Sequence, residues 1–117
     1  MVNPLFDLTG RVAVVIGAAD GGLGGYAARA LADAGATLVV ADVDSRADDL
    51  AVTAAACGTA TTTHVIDVAS EGSVRALAET ALAVHDRIDV VVNAAGVMLR
   101  REDCSDHSVR GVRGVPR

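Results

Sequence analysis

The chain has 117 residues, of which 51% are apolar, and a formal net charge of −5. This length allows one domain at most, and the negative charge argues against nucleic acid or an anionic membrane surface as a partner. Cys57 and Cys104 lack metal-ligand spacing, and neither a membrane-spanning run nor a secretory signal is visible, so we expect a cytoplasmic protein without a metal site.

The first strand and the first helix are predicted from hydrophobic spacing. The β-branched run Val12–Ile16 ends at a glycine and is typical of a buried strand. Between residues 23 and 34, apolar side chains recur every three or four positions, which predicts a helix ending at Gly35. The side chains expected to face the core are Leu23, Ala27, Ala30, Leu31 and Ala34.

The rest of the sequence continues the alternation of strands and helices. Strands are predicted at 37–41, 63–66 and 88–92, and helices at about 46–56 and 70–84. Asp42, Asp44 and Ser45 would cap the second helix, and Ser70 the third. Right-handed crossovers then predict an α/β fold, a partial Rossmann-type doubly wound parallel sheet with four strands in order 3-2-1-4 and helices on both faces.

A glycine-rich segment joins the first strand to the first helix; residues 17–24 are called the glycine turn below. Gly22-x-Gly24-x-x-Ala27 fits the dinucleotide fingerprint, in which bare backbone approaches a pyrophosphate at the positive end of a helix. A crowded strand-to-helix corner would also explain these glycines. The residues expected to contact the dinucleotide here are Gly17, Gly22, Leu23 and Gly24.

An acidic residue ends the second strand. Asp42 follows Gly22 by 20 residues, which is the spacing at which a carboxylate accepts hydrogen bonds from the adenosine ribose. Its charge would repel a 2′-phosphate, and Val43 rather than an arginine comes next, so NAD(H) is favoured over NADP(H). The alternative is that Asp42 or Asp44 only caps the second helix.

Three further segments carry a resemblance to a known family. They are the opening residues 8–17, the pair Asp67–Val68 after the third strand, and the tetrapeptide Asn93-Ala94-Ala95-Gly96 after the fourth. Together with the glycine turn, they resemble the amino-terminal part of the short-chain dehydrogenase/reductase family over residues 5–98. The resemblance implies that the pair contacts the adenine and that the tetrapeptide lies near the cofactor. A methyltransferase is disfavoured because the tetrapeptide has no role there.

The sequence also departs from that family. Ile16 stands where the family has threonine, and the spacing from Gly17 to Gly22 is one residue longer. The resemblance implies catalysis by a serine and a Tyr-x-x-x-Lys pair, but Tyr26 is followed four positions later by Ala30 and the chain has no lysine. We therefore expect the NAD(H)-binding part of an oxidoreductase that interconverts alcohols and ketones; the alternative is a non-catalytic nucleotide-binding module or inactive remnant.

Residues 1–98 are expected to form the dinucleotide-binding half-domain, followed by an irregular, disordered tail at 99–117. This tail carries five of the ten arginines and could reflect a reading frame lost near Ser108. A sheet ending at the fourth strand would leave its edge open, which predicts self-association through that edge. A small alcohol or ketone substrate would then bind only if the remaining half of the site were supplied.

Overall fold

The computed structural model describes residues 4–58 and 60–96, so the predicted tail at 99–117 lies outside the described residues. Within them, no helix is both long enough and apolar enough to cross a membrane. The strands are β1 (Val12–Ile16), β2 (Thr37–Asp42), β3 (Thr62–Val65) and β4 (Val90–Asn93). The α-helices are α1 (Leu23–Asp33), α2 (Ala47–Cys57) and α3 (Glu71–His85), with 3-10 turns at Pro4–Phe6 and Asp44–Arg46.

The four strands form one parallel sheet in the order β3-β2-β1-β4, which confirms the predicted topology. In the register of this sheet, Val14 of β1 lies between Val39 of β2 and Val91 of β4. The chain passes from β1 outward to β3 and then returns to β4 on the other side of β1. This reversal of direction opens a crevice at the carboxyl ends of β1 and β4, which is where such sheets bind ligands.

Both faces of β1 are covered by helices, and all five of its residues are buried. Alternate residues of the sheet pack on different helices because strand side chains alternate between faces. One face packs against α1 and α2 through Ala13, Val15, Leu38, Val40, Ala28 and Leu50. The other packs against α3 through Val14, Ile16, Val39, Ala41, Leu77 and Ala81. This double coverage explains why β1 is a continuous apolar run.

Helix α1 buries only part of the predicted face, where Leu31 packs on the core. Leu23 is 84% exposed and Ala30 is also exposed, whereas Gly24, Gly25 and Ala28 are buried. The predicted periodicity is right, but the two exposed positions were wrongly assigned to the core. Glycine and alanine let the helix backbone lie close to the sheet, so the smallest side chains, rather than the leucine, face inward.

The helix starts provide one correction and one confirmation. At α3, Ser70 accepts a hydrogen bond from the Ser73 N–H at 3.2 Å, as its N-cap position predicts. At α2, the N-cap is Arg46 and no side chain caps the helix, so the predicted capping by Asp42, Asp44 and Ser45 is wrong. Asp44 and Ser45 belong to the 3-10 turn that directly precedes α2, and Asp42 is the last residue of β2.

The amino ends of β1 and β4 are joined by a carboxylate. The Val12 N–H donates to Asp89 Oδ2 at 2.8 Å, and the Asp89 N–H donates to Val12 O at 2.9 Å. Hydrogen bonds from the Arg87 side chain and from the Val12 N–H, with the nearby charge of Arg11, lower the pKa of Asp89 to about 2. This junction lies at the opposite end of the strands from the crevice.

Candidate functional site

The first half of the glycine turn is bonded to β2. The N–H groups of Gly17 and Ala18 both donate to Ala41 O, at 2.8 and 3.0 Å. The Ala19 N–H donates to Asp42 Oδ2 at 2.9 Å. These backbone donors are therefore already used by the protein and are not free for a ligand.

Helix α2 and the 3-10 turn before it hold the middle of the glycine turn. The buried Thr53 hydroxyl donates to Ala18 O at 2.7 Å, the Asp20 N–H donates to Asp49 O at 3.0 Å, and Arg46 donates to Asp20 O at 3.0 Å. The sequence patterns do not single out these residues. The available signals were a threonine within an alanine-rich helix and the one extra residue in the longer glycine turn.

The second half of the glycine turn presents free donors. Across residues 4–58 and 60–96, no protein acceptor is bonded to the backbone N–H groups of residues 21–24. Gly21 has φ +97, which side-chain-bearing residues rarely adopt, and Gly22 is the N-cap of α1. Free N–H groups at the positive end of a helix are suited to an anion such as a phosphate.

The glycines of the turn serve different purposes. A Cβ at Gly17, where φ is +81, would lie 2.7 Å from Ala95 N, and a Cβ at Gly24 would overlap the Gly17 carbonyl. Close packing therefore explains these two glycines without any ligand. At Gly22, however, the nearest atom to a Cβ is Ala19 O at 4.0 Å, so the crowded-corner alternative does not explain this residue.

Asp42 binds the glycine turn rather than capping a helix. Its Oδ2 accepts from the Ala19 N–H, and its Oδ1 accepts from the Val43 N–H at 2.7 Å. An ionised carboxylate has about four acceptor positions, and Asp42 is only partly buried. It can therefore hold the turn and still accept hydrogen bonds from hydroxyl groups.

The tetrapeptide at 93–96 packs directly behind the glycine turn. The Ala94 N–H donates to Ile16 O at 2.8 Å, and the Ala95 N–H donates to Asn93 Oδ1 at 3.2 Å. A backbone hydrogen bond thus joins β1 to the segment after β4, although Ile16 carries no hydroxyl. Gly96 is exposed at the end of this segment.

The Asp67–Val68 pair lies beside the end of β2. The Ile66 N–H donates to Asp42 O at 2.9 Å, which places the pair next to that residue, and Asp67 Oδ1 accepts from the Ala69 N–H at 3.0 Å. The side chains of Val68 and Val43 are 50% and 41% exposed at the ends of neighbouring strands. Each of them leaves apolar surface exposed at this edge of the sheet.

Comparison with known proteins gives the family. A family model described as "Enoyl-(Acyl carrier protein) reductase" matches residues 17–115. The crystal structure of a short chain dehydrogenase from Mycobacterium smegmatis is similar, with a TM-score of 0.69 and 34% identity over 77% of this chain. The chain belongs to the short-chain dehydrogenase/reductase family.

Several members of this family with named activities are similar to the chain. A cis-4-hydroxycyclohexanecarboxylate dehydrogenase from Sinomonas cyclohexanicum is 44% identical over 74% of the chain and 34% of its own length. A D-threitol dehydrogenase from Mycolicibacterium smegmatis is 42% identical over 79% and 35%. The structure of a hydroxysteroid dehydrogenase from Escherichia coli aligns with a TM-score of 0.70 and 32% identity, covering 79% of the chain and 39% of that structure. The chain spans about a third of the length of these curated relatives.

The site has donors and acceptors for a ligand but no pair for proton transfer. Tyr26 is 66% exposed on α1, and the 117-residue sequence contains no lysine to accompany it. In the part of the chain that the structure describes, no group of three metal-ligating side chains comes together. The arrangement can therefore hold an anion and hydroxyl groups, whereas hydride transfer to a carbonyl also needs a proton donor.

Proposed function

We propose that this short-chain dehydrogenase/reductase chain binds NAD(H) at the carboxyl edge of its sheet. The observation that carries the proposal is the row of free N–H groups at residues 21–24, next to the partly exposed carboxylate of Asp42. The diphosphate lies over these groups at the start of α1, while Asp42 accepts hydrogen bonds from the adenosine ribose. Because the N–H groups of residues 18–20 are already bonded, the phosphate contacts are in the second half of the glycine turn.

The remaining contacts proposed earlier extend from this centre. The adenine lies against Val43 and Val68, with Asp67 beside it, and the backbone of the tetrapeptide at 93–96 lies towards the nicotinamide side. These assignments are supported by exposed apolar surface on one side of Asp42 and by the packing of Ala95 behind Gly17 on the other.

NAD(H) is the proposed cofactor rather than NADP(H). A 2′-phosphate would meet the negative charge of Asp42, and the nearest arginine along the chain, Arg46, is bound to Asp49 at 2.9 Å and to Asp20 O at 3.0 Å. To recognise a phosphate, Arg46 would first have to leave both partners. We expect Asp42→Asn to narrow the affinity gap between NADH and NADPH, because asparagine keeps an oxygen for the Ala19 N–H but has no charge.

The reaction proposed for the protein to which this site belongs is the interconversion of an alcohol and a ketone. The two curated relatives named above are both dehydrogenases of hydroxylated compounds. In the reduction, a hydride passes from the nicotinamide to the carbonyl carbon while a proton joins the oxygen. In our proposal the proton donor lies outside these 117 residues, because the chain has one tyrosine and no lysine.

The absence of lysine also favours a second candidate, a nucleotide-binding module without catalysis. The two candidates predict the same cofactor binding and differ only in turnover. NADH oxidation with a panel of ketones tests them: consumption of NADH by the purified chain would exclude the binding-only candidate, and a complementing fragment that restores consumption would favour the enzyme.

Titration calorimetry with NADH tests the binding proposal itself. Gly22→Ala has room for its methyl group, so the fold should keep its stability, but the added group stands beside the free N–H groups and should weaken NADH binding. The full chain should release heat with NADH at millimolar concentration or below. A folded protein that gives no signal with NAD⁺ or NADH contradicts the proposal.

A further inference from the structure

Asp20 is held by three different parts of the molecule. Its carboxylate forms an ion pair with Arg29 of α1, its carbonyl oxygen accepts from Arg46 at 3.0 Å, and its N–H donates to Asp49 O at 3.0 Å. The side chains of Asp20 and Arg29 are 41% and 38% exposed, so this pair is partly shielded from water. Asp20 is also the last residue of the glycine turn whose backbone groups are bonded to the protein before the free N–H groups begin.

Two glycines separate Asp20 from the start of α1. Gly21 and Gly22 have no side chains to restrict their backbone, and neither N–H is bonded in the described residues. The position of the free donors therefore depends on how firmly the two ends of this short segment are held. Arg29 connects these ends directly, because it belongs to α1 and its guanidinium reaches back to Asp20.

We propose that Arg29, acting through Asp20, is a positioning residue that holds the N–H groups of residues 21–24 in the arrangement that receives the diphosphate. The inference rests on the proposed function, since it deepens the same site. A chain without the ion pair still folds, but its glycine turn samples other conformations, and the affinity for a diphosphate falls by the fraction of time spent in them.

The test compares two ligands that share the adenosine but differ in the diphosphate. Calorimetry would measure the Kd of NADH and of adenosine for the full chain and for Arg29→Met, which keeps the long apolar stem but removes the charge. We expect about fivefold weaker NADH binding, which corresponds to the upper end of the energies measured for exposed ion pairs. Adenosine binding should change less than twofold, and Arg29→Lys should recover most of the loss.

Two further variants make the result specific. Asp20→Asn removes the charge from the other side of the pair and should reproduce the loss even if Arg29→Met folds poorly. Arg75→Met breaks the exposed Arg75–Glu71 pair on α3 and should leave both affinities unchanged. Hydrogen exchange of the peptide covering residues 17–25 should speed up in Arg29→Met and in Asp20→Asn but not in Arg75→Met.

The outcomes separate this inference from the proposed function. Wild-type protein that binds no dinucleotide overturns both. Wild-type binding together with unchanged NADH affinity in Arg29→Met and Asp20→Asn overturns the positioning role alone. Equal losses for NADH and adenosine also overturn it, because they indicate general destabilisation of the fold rather than misplacement of the phosphate donors.

Discussion

Replacing Gly24 with alanine tests the close packing of α1 on the glycine turn. The new Cβ would overlap the carbonyl oxygen of Gly17 and lie 2.7 Å from its carbon, whereas ordinary contact begins at 3.4 Å. Both sides of this contact are backbone, so relief requires the start of α1 to move away from Gly17, by at least about 0.7 Å when the two distances are compared. A side-chain rotation cannot accommodate the methyl group.

The cost follows from two opposing effects. Overpacking a well-packed interior typically costs about 1–3 kcal/mol, and the rigid backbone on both sides places Gly24→Ala at the upper end. Replacing glycine by alanine in a helix returns up to about 1 kcal/mol. We therefore expect the free energy of unfolding to fall by about 2 kcal/mol, which lowers the Tm of a domain of this size by roughly 10 °C.

A matched control is available in α3. Gly72, like Gly24, is the second residue of its helix, but a Cβ there meets only the Ser70 hydroxyl, at 3.8 Å. Gly72→Ala should therefore leave stability unchanged or raise it by a few tenths of a kcal/mol. Urea unfolding followed by circular dichroism measures both variants. Equal effects at Gly24 and Gly72 would refute the packing argument.

Three other features give independent expectations. Thr53→Val should cost about 1–3 kcal/mol, because Ala18 O loses its buried donor, whereas the same change at the exposed helical Thr80 should cost little; urea midpoints compare them. The pKa of Asp89 lies at about 2, below its usual 3.8, so its ionised form stabilises the fold above pH 3.8 and this contribution is lost as the pH falls towards 2. Asp89→Asn should weaken the dependence of the urea midpoint on pH across that interval. A variant whose midpoint changes with pH as steeply as that of the wild type would contradict the assignment. Burial raises the pKa of Cys57, so iodoacetamide should alkylate it slowly until urea unfolds the chain, as peptide mass spectrometry would show.

The first strand was predictable because helices cover both faces of the sheet at its centre. Val12–Ile16 was predicted with its observed bounds, since five consecutive apolar residues match a strand buried on both sides. The fourth strand begins two residues later than predicted, at Val90, because Asp89 uses its carboxylate to bond the Val12 N–H. That bond connects distant segments, so hydrophobic spacing within the fourth strand cannot reveal it.

Helix α1 marks the limit of periodicity as a guide. Spacing predicted the helix and its end near Gly35, but hydrophobicity assigned Leu23 to the core, where the structure buries glycine and alanine. Which side faces the sheet depends on how closely two backbones approach. That distance is a tertiary property, and a sequence scan ranks leucine above glycine at every buried position.

The candidate site was predictable in location but not in detail. The glycine turn and Asp42 could be found from spacing alone. The division of the turn into bonded and free N–H groups depends on Asp49, Thr53 and Arg46, which come from α2 and the turn before it. No local pattern encodes these partners, so the sequence alone does not show which N–H groups of the turn stay free.

The junction of β1 with β4 also affects how late in folding the candidate site forms. Val12 is bonded to a residue 77 positions along the chain, and Ala95 stands directly behind Gly17. Contacts between such remote segments form late, because a long loop must close before they contribute any stability. During synthesis the glycine-rich segment leaves the ribosome early, but Ala95, which packs behind Gly17, follows only after the fourth strand. Under the proposed function, a nascent chain would therefore gain affinity for the dinucleotide abruptly, once residues 93–96 are in place, rather than by degrees.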